Sequence, residues 1–332
     1  MGCCSSRSSD SPASRVTRWR STGIVALRDA RLKEVPNEVL QVGNSLRTLD
    51  LTNNKLVEIP QEIGTLANMQ RLVLAGNLIE IIPANIGYLQ NLKILTLDRN
   101  RISILPEELG SLSNLQQLSV PQNFLLCLPK SIGDLRNSSS SGPFLLKNGR
   151  SSLDTGACCS SLLLSILSGL DHSRDLLQKR SFVVGHRHGG DGRMSVLNVS
   201  DNKLKELPES IGGCSSLEEF QANASPTSGT DLEAKYSGNA IEDVPASICN
   251  LVCLKSLSLN GNKIRQLPQN LLKDCTALQS LSLHDNPITM DQFQQMDGFG
   301  EFEARRRKKF DKQIDSGVMM GSTALDEGVD FH

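Results

Sequence analysis

The residues with the clearest chemical capacity stand at the N-terminus. Gly2 follows the initiator methionine and Ser6 lies four further on, the M-G-x-x-x-[ST] pattern of N-myristoylation, and Cys3 and Cys4 beside it are thiols open to palmitoylation. One myristoyl chain holds a protein to a bilayer only marginally, so durable attachment needs a second chain or a basic patch. Arg7, Arg15, Arg18 and Arg20 offer that patch, and Trp19 an interfacial ring. Together they predict a lipid anchor on a disordered segment, residues 1–22, at the cytosolic face of the plasma membrane or an endomembrane.

Little else points to catalysis. The chain has no Walker loop, G-x-S-x-G or H-E-x-x-H, and its five histidines, at 172, 186, 188, 284 and 332, are scattered. His186 and His188 form H-x-H in a glycine-rich stretch, and Cys249 and Cys253 form C-x3-C, but neither pair has a further ligand at a metal-like spacing. We expect a non-enzyme with no cofactor and no metal. A net charge of −1 with 21% charged residues gives no global basis for nucleic-acid binding. No apolar run reaches the ~18 residues of a membrane span, and the start lacks the apolar stretch of a secretory signal. In the reducing compartment that follows, the nine cysteines read as thiols.

The elements that position these residues come from one regularity. Asn54, Asn77, Asn100 and Asn123 are each 23 residues apart, and Pro60, Pro83, Pro106 and Pro129 keep the same step. A fixed period in this range marks a solenoid whose units bury their apolar sides only against their neighbours. In the unit Met69 to Gln90, Leu72 and Leu74 alternate around Val73 as in a strand, Asn77 turns the chain, and Pro83 opens a short convex segment carrying Ile86 and Leu89. Further units centre on Asn202, Asn239, Asn262 and Asn286, and a degenerate first unit has Ala30 in place of the asparagine. The pattern predicts about nine coils: an α/β leucine-rich-repeat solenoid with a curved parallel sheet on its concave face and short helical or irregular convex segments.

Two segments break the period. Removing residues 138–193 restores the 23-residue step between Pro129 and Pro208, and removing 224–237 restores it between Pro208 and Pro245. The first is a low-order loop between a convex segment and the next strand. The second falls between a strand and its asparagine, where local distortion is expected. Either could be a splice variant absent from the main product. The domain plan is thus coils 1–5 over residues 23–137, coils 6–9 over 194–290, a cap and basic segment over 291–314, and a disordered tail over 315–332. In the cap, Phe302 and Phe310 pack on the last coil while Arg305 to Lys309 stay solvated.

The outward strand residues make the candidate contact surface. They are small and polar; hot spots favour Trp, Tyr and Arg, of which only Arg71 stands here, and Asp50, Arg71, Ile94, Asp98, Glu219 and His284 are the partner-binding candidates. The unit L-x-x-L-x-L-x-x-N-x-[LI]-x-x-[LI]-P, seen at Leu46 to Pro60, Leu92 to Pro106 and Leu254 to Pro268, resembles the intracellular Ras-group (Ras-suppressor type) leucine-rich-repeat proteins. The resemblance covers 24–136, 194–223 and 238–310. It implies a monomeric, non-catalytic protein-interaction scaffold or adaptor in signalling, with regulation of a phosphatase or small GTPase through the concave face as the alternative. It gives no binding residue to carry over.

Overall fold

A carboxamide placed one residue after a left-handed turn dictates the local architecture. In the computed structural model, which describes residues 11–135, 194–225 and 238–315, the residue before seven of the eight repeat asparagines has positive φ: Asn53, Gly76, Arg99, Gln122, Asp201, Gly261 and Asp285. The turn aims the asparagine inward, where it satisfies backbone that no strand or helix can. Asn77 shows the pattern: its amide donates to the carbonyls of Leu51 (3.0 Å), Leu74 (2.9 Å) and Ala75 (3.3 Å), and its oxygen accepts from the Leu56 N–H (3.1 Å). Each carboxamide therefore ties its own coil to the preceding one. In the first unit, Asn54 reaches back to the N–H groups of Ala30 and Leu32, so Ala30 needs no amide of its own.

Nine strands follow, β1 (Ile24–Ala26), β2 (Thr48–Asp50), β3 (Arg71–Val73), β4 (Ile94–Thr96), β5 (Gln117–Ser119), β6 (Val196–Asn198), β7 (Glu219–Gln221), β8 (Ser256–Ser258) and β9 (Ser280–Ser282), all parallel in one sheet in chain order. Their central residues, from Val25 to Leu281, point into one apolar core with the convex leucines and isoleucines. After six of the prolines the chain makes a single 3-10 turn, as at Ala84–Tyr88. Short α-helices replace that turn near the ends, α2 (Asn37–Gln41) and α3 (Leu271–Asp274).

Both breaks in the period close. β5 pairs directly with β6, and the Leu125 N–H bonds Asn202 as in an uninterrupted coil. Gly133 on one side of the first break packs against the coil on the other, where a Cβ would lie 2.1 Å from the Ser210 carbonyl. At the second break Asn239 still makes the same bonds as its counterparts, to Val199, Ala222 and Asn223 carbonyls, although neither Ala224 nor Gly238 has the positive φ found before the other asparagines. Ala224, not Gly238, takes the position before the asparagine, since its N–H bonds Asn260 as Gly76 bonds Asp98. The inserted residues are therefore 225–238, one position later than the periodicity indicates. Gly238 is needed because a Cβ there would come 2.4 Å from Ala224.

Two caps seal the stack, and the first corrects an expectation. Residues 12–22 are not disordered: α1 (Pro12–Thr22) starts at Ser11, whose hydroxyl accepts from Ser14 N–H, with proline in its first turn, and ends at left-handed Gly23. Val16 and Trp19 are buried in the same core as the leucines. The end coil otherwise exposes an apolar face, and the helix covers it. At the other end, α4 (Met290–Gln294) carries a capping box, and α5 (Phe299–Asp315) buries Phe302 edge-on to Phe293. The basic run is not wholly solvated. Arg305 donates to the carbonyls of Leu278 (3.0 Å) and Leu272 (2.8 Å), tying α5 to the last coil. The Phe310 side chain, residues 136–193 and 226–237 and the tail from 316 lie outside the described residues.

Candidate functional site

The structure sorts the six sheet-face candidates. Arg71 opens β3 and pairs in register with Ile94 of β4. The Arg71 side chain is exposed and Ile94 half-buried. Asp98 lies two residues beyond β4. One of its carboxylate oxygens is buried with no hydrogen-bond partner. Burial pushes its pKa up, and a hydrogen bond from Ser119 offsets this only in part. Asp98 is thus an under-satisfied carboxylate on the same outward face as Ile94 and the exposed Arg71, but four residues, or roughly 13 Å at ~3.3 Å per residue, further along the strand direction than Ile94.

Asp50 does not belong to that group. It is buried at 6% exposure, its carboxylate clasped by Arg28 (Nε to Oδ2, 2.7 Å) and by the Thr52 hydroxyl (2.6 Å) and N–H (3.1 Å). Burial alone raises its pKa, but those bonds outweigh it and the net direction is down. Asp50 is thus a structural strut rather than a free contact. Arg28 was missed in the sequence because the first unit lacks its asparagine, which hides the equivalence of position 28 with 52 and 75. Glu219 is exposed on β7, four strand spacings from Arg71, or about 19 Å at ~4.8 Å per step. His284 follows β9 and is half-buried. Between and around them runs a hydroxyl and amide network in which Asn223 accepts from Ser258 (2.7 Å) and Asn260 N–H (2.9 Å). Of the six candidates, Asp50 is a strut, Arg71 and Ile94 are cross-strand neighbours, and Asp98, Glu219 and His284 stand apart from that pair.

The lipid-anchor residues Gly2, Cys3 and Cys4, with Arg7, lie outside the described residues. Their proposed helpers do not: Trp19 is in the core, Arg15 pairs with Glu38 at 3.0 Å, and Arg20 donates to the Gln41 carbonyl at 2.6 Å. Among the described residues no helix is long and apolar enough to cross a membrane. None holds a group of three or more His, Cys, Asp or Glu able to bind a metal. His186 and His188 fall outside the described residues.

The cysteines divide. Cys214 and Cys275 are buried thiols whose Sγ atoms donate to the carbonyls of Ile132 (3.2 Å) and Ile248 (3.4 Å), and burial pushes both pKa values to about 12. Cys249 and Cys253 are also free. Cys127 is disulfide-bonded, so the thiol expectation fails there.

The Leucine Rich Repeat family profile matches residues 45–66 and 91–112. In fold, the chain is similar to a leucine-rich-repeat protein of Leptospira interrogans (TM-score 0.52, 24% identity, covering 84% of this chain and 58% of that one). It is similar also to a plant ice-binding protein (TM-score 0.52, 17% identity, 82% and 69%). In sequence, it is 52% identical over 60 residues, 18% of this chain and 16% of the other, to plant intracellular Ras-group-related LRR protein 8 of Oryza sativa subsp. japonica. It is 68% identical over 332 residues, 100% of each, to plant intracellular Ras-group-related LRR protein 7 of the same rice. The MG start, the stretch from Leu46 to Leu56 and the short basic tail resemble leucine-rich-repeat-containing protein 57; full-length identity is what fixes the plant branch. This chain belongs to the plant intracellular Ras-group-related leucine-rich-repeat proteins.

Proposed function

We propose that this protein is a non-catalytic interaction scaffold that binds a protein partner through the N-terminal half of its sheet face, with Arg71, Ile94 and Asp98 as the contact residues. The observation that carries this is the unpartnered Asp98 oxygen. A buried acceptor without a donor costs the fold about 1–3 kcal/mol, less where water screens it, and such groups persist where a ligand supplies the missing bond. A partner that brings a donor to Asp98 while an acidic group meets Arg71 satisfies both at once. Ile94, paired across the strands with Arg71, adds apolar contact area.

Tethering to the cytosolic membrane face through Gly2, Cys3 and Cys4 remains part of the proposal in a narrower form. With Trp19, Arg15 and Arg20 committed to the cap, the lipids themselves must supply the anchoring energy, and one chain is insufficient. Gly2→Ala, or Cys3→Ser with Cys4→Ser, is then enough to release the protein from membranes; persistence of either variant in the membrane fraction refutes the anchor.

The contact surface is tested by affinity capture with wild-type protein against Arg71→Glu, keeping Glu219→Gln as a comparison. Partners lost with Arg71→Glu and kept with Glu219→Gln support the surface; partners kept by both variants refute it. A single stoichiometric phosphatase or GTPase, altered in activity, replaces the scaffold with the regulatory-subunit alternative.

A further inference from the structure

A cleft of about 570 Å³ opens beside the C-terminal end of α1, at the leading edge of β2 and β3. Arg20 and Arg47 line it with the carboxamides of Asn44, Asn68, Gln70 and Asn91. No carboxylate and no apolar side chain belongs to the lining. Arg47 is exposed, and its side chain forms no hydrogen bond or ion pair with the described residues, so its guanidinium is available. Asn68 and Asn91 each spend one amide N–H on a backbone carbonyl, of Asn44 (2.9 Å) and Ala67 (2.9 Å), which fixes their planes and leaves a donor and an acceptor to spare.

A helix C-terminus repels anions, which would argue against a negatively charged occupant. Here its carbonyls are already engaged: Trp19 accepts from Gly23 N–H (2.8 Å), and Arg18 from the hydroxyls of Ser21 (2.8 Å) and Thr22 (3.1 Å). Two guanidiniums then set the sign of the local field. Guanidinium forks suit phosphate oxygens, while carboxamides, donor and acceptor together, suit hydroxyls. Without an aromatic or apolar wall there is nothing for a nucleobase to stack on. The volume falls within the range of small-molecule sites.

We infer that this cleft binds a phosphorylated polyol, with Arg47 and Arg20 on phosphate and the asparagine row on hydroxyls. The polyol is either a free metabolite or the headgroup of a phospholipid; the chemistry is shared.

The test uses the full chain produced without lipid, titrated calorimetrically with inositol trisphosphate and with inorganic phosphate. Saturable one-to-one binding of the inositol phosphate is expected, at least tenfold weaker in Arg47→Gln, several-fold weaker in Asn44→Ala, and unchanged in Arg265→Gln, an exposed cation outside the cleft. Absence of saturable binding overturns the inference, as does equal weakening by Arg47→Gln and Arg265→Gln, or inorganic phosphate binding as tightly as the inositol phosphate. Vesicle sedimentation separates the sources. Retention on phosphatidylcholine vesicles containing phosphatidylinositol phosphate, but not on phosphatidylserine vesicles of equal charge, assigns a headgroup. Soluble binding without retention assigns a free metabolite, and equal retention on both vesicles reduces the cleft to unspecific charge and overturns the inference.

Discussion

Replacing Asn77 by alanine costs less than its four hydrogen bonds suggest, and the structure says why. Four independent buried bonds at about 1–1.5 kcal/mol each sum to roughly 4–6 kcal/mol. Yet the three carbonyls it serves each keep another donor: Leu51 keeps Asn54 (2.9 Å), Leu74 keeps Asn100 (3.0 Å) and Ala75 keeps the Asn53 N–H (2.8 Å). Only the Leu56 N–H, which donates to the Asn77 oxygen, is left without a partner. One orphaned N–H at about 1–3 kcal/mol plus a small void at about 1 kcal/mol gives about 3 kcal/mol. Asn77→Asp should be worse at pH 7, because it turns oxygen towards three carbonyls. Burial raises the pKa of the introduced carboxyl above its usual ~3.9, so the folded state holds its proton where the unfolded chain releases it. Stability of that variant therefore falls as pH rises from about 4 through the raised folded value and recovers on acidification.

Urea denaturation followed by circular dichroism measures both variants against Lys55→Ala, an exposed control expected within about 0.5 kcal/mol of wild type. Because repeat arrays need not unfold as one unit, hydrogen exchange at the Leu56 amide supplies the local readout and should accelerate in Asn77→Ala. The reasoning fails if Asn77→Ala matches the Lys55 control, if it loses the full value for independent bonds, or if Asn77→Asp is as stable as Asn77→Ala at pH 7.

Trp19 is the chain's one tryptophan and is buried in the N-terminal cap. Its fluorescence should be blue-shifted and poorly quenched by iodide, and Trp19→Ala should cost about 3–5 kcal/mol; a red-shifted, quenchable emission rejects the cap. With pKa values raised by burial to about 12, Cys214 and Cys275 should resist iodoacetamide at pH 8 while exposed Cys253 reacts, read by mass spectrometry. Their neutral folded state also means stability falls as pH climbs above the unfolded value of 9.0. Asp98→Asn removes a carboxylate whose pKa burial raises, so it should stabilise the fold modestly at pH 7, by up to about 1 kcal/mol after screening, and weaken partner capture. A destabilised Asp98→Asn, measured by urea midpoint, shows that the carboxylate serves the fold instead.

The coils were legible because their determinants repeat: each asparagine, proline and leucine appears at a fixed step, and every copy reports the same local geometry. What repeats only once was not legible. Trp19 beside arginines has the composition of a membrane-facing segment, and nothing local distinguishes that from a cap; the decision is made by the apolar end of coil 1, a surface no residue in α1 encodes. Asp50 and Asp98, two repeat positions apart, both lie on the outward sheet face, yet one is clasped by Arg28 and the other keeps an unbonded oxygen. The difference lies in what the neighbouring coil offers. Coil 1 places a guanidinium beside Asp50, whereas the coil after Asp98 offers it the Ser119 hydroxyl. In a solenoid the fold is written along the chain and the surface chemistry across it, between residues about 23 apart. The residue that decides a side chain's fate therefore lies one coil away, which is why the sheet-face candidates needed coordinates to separate struts from contacts.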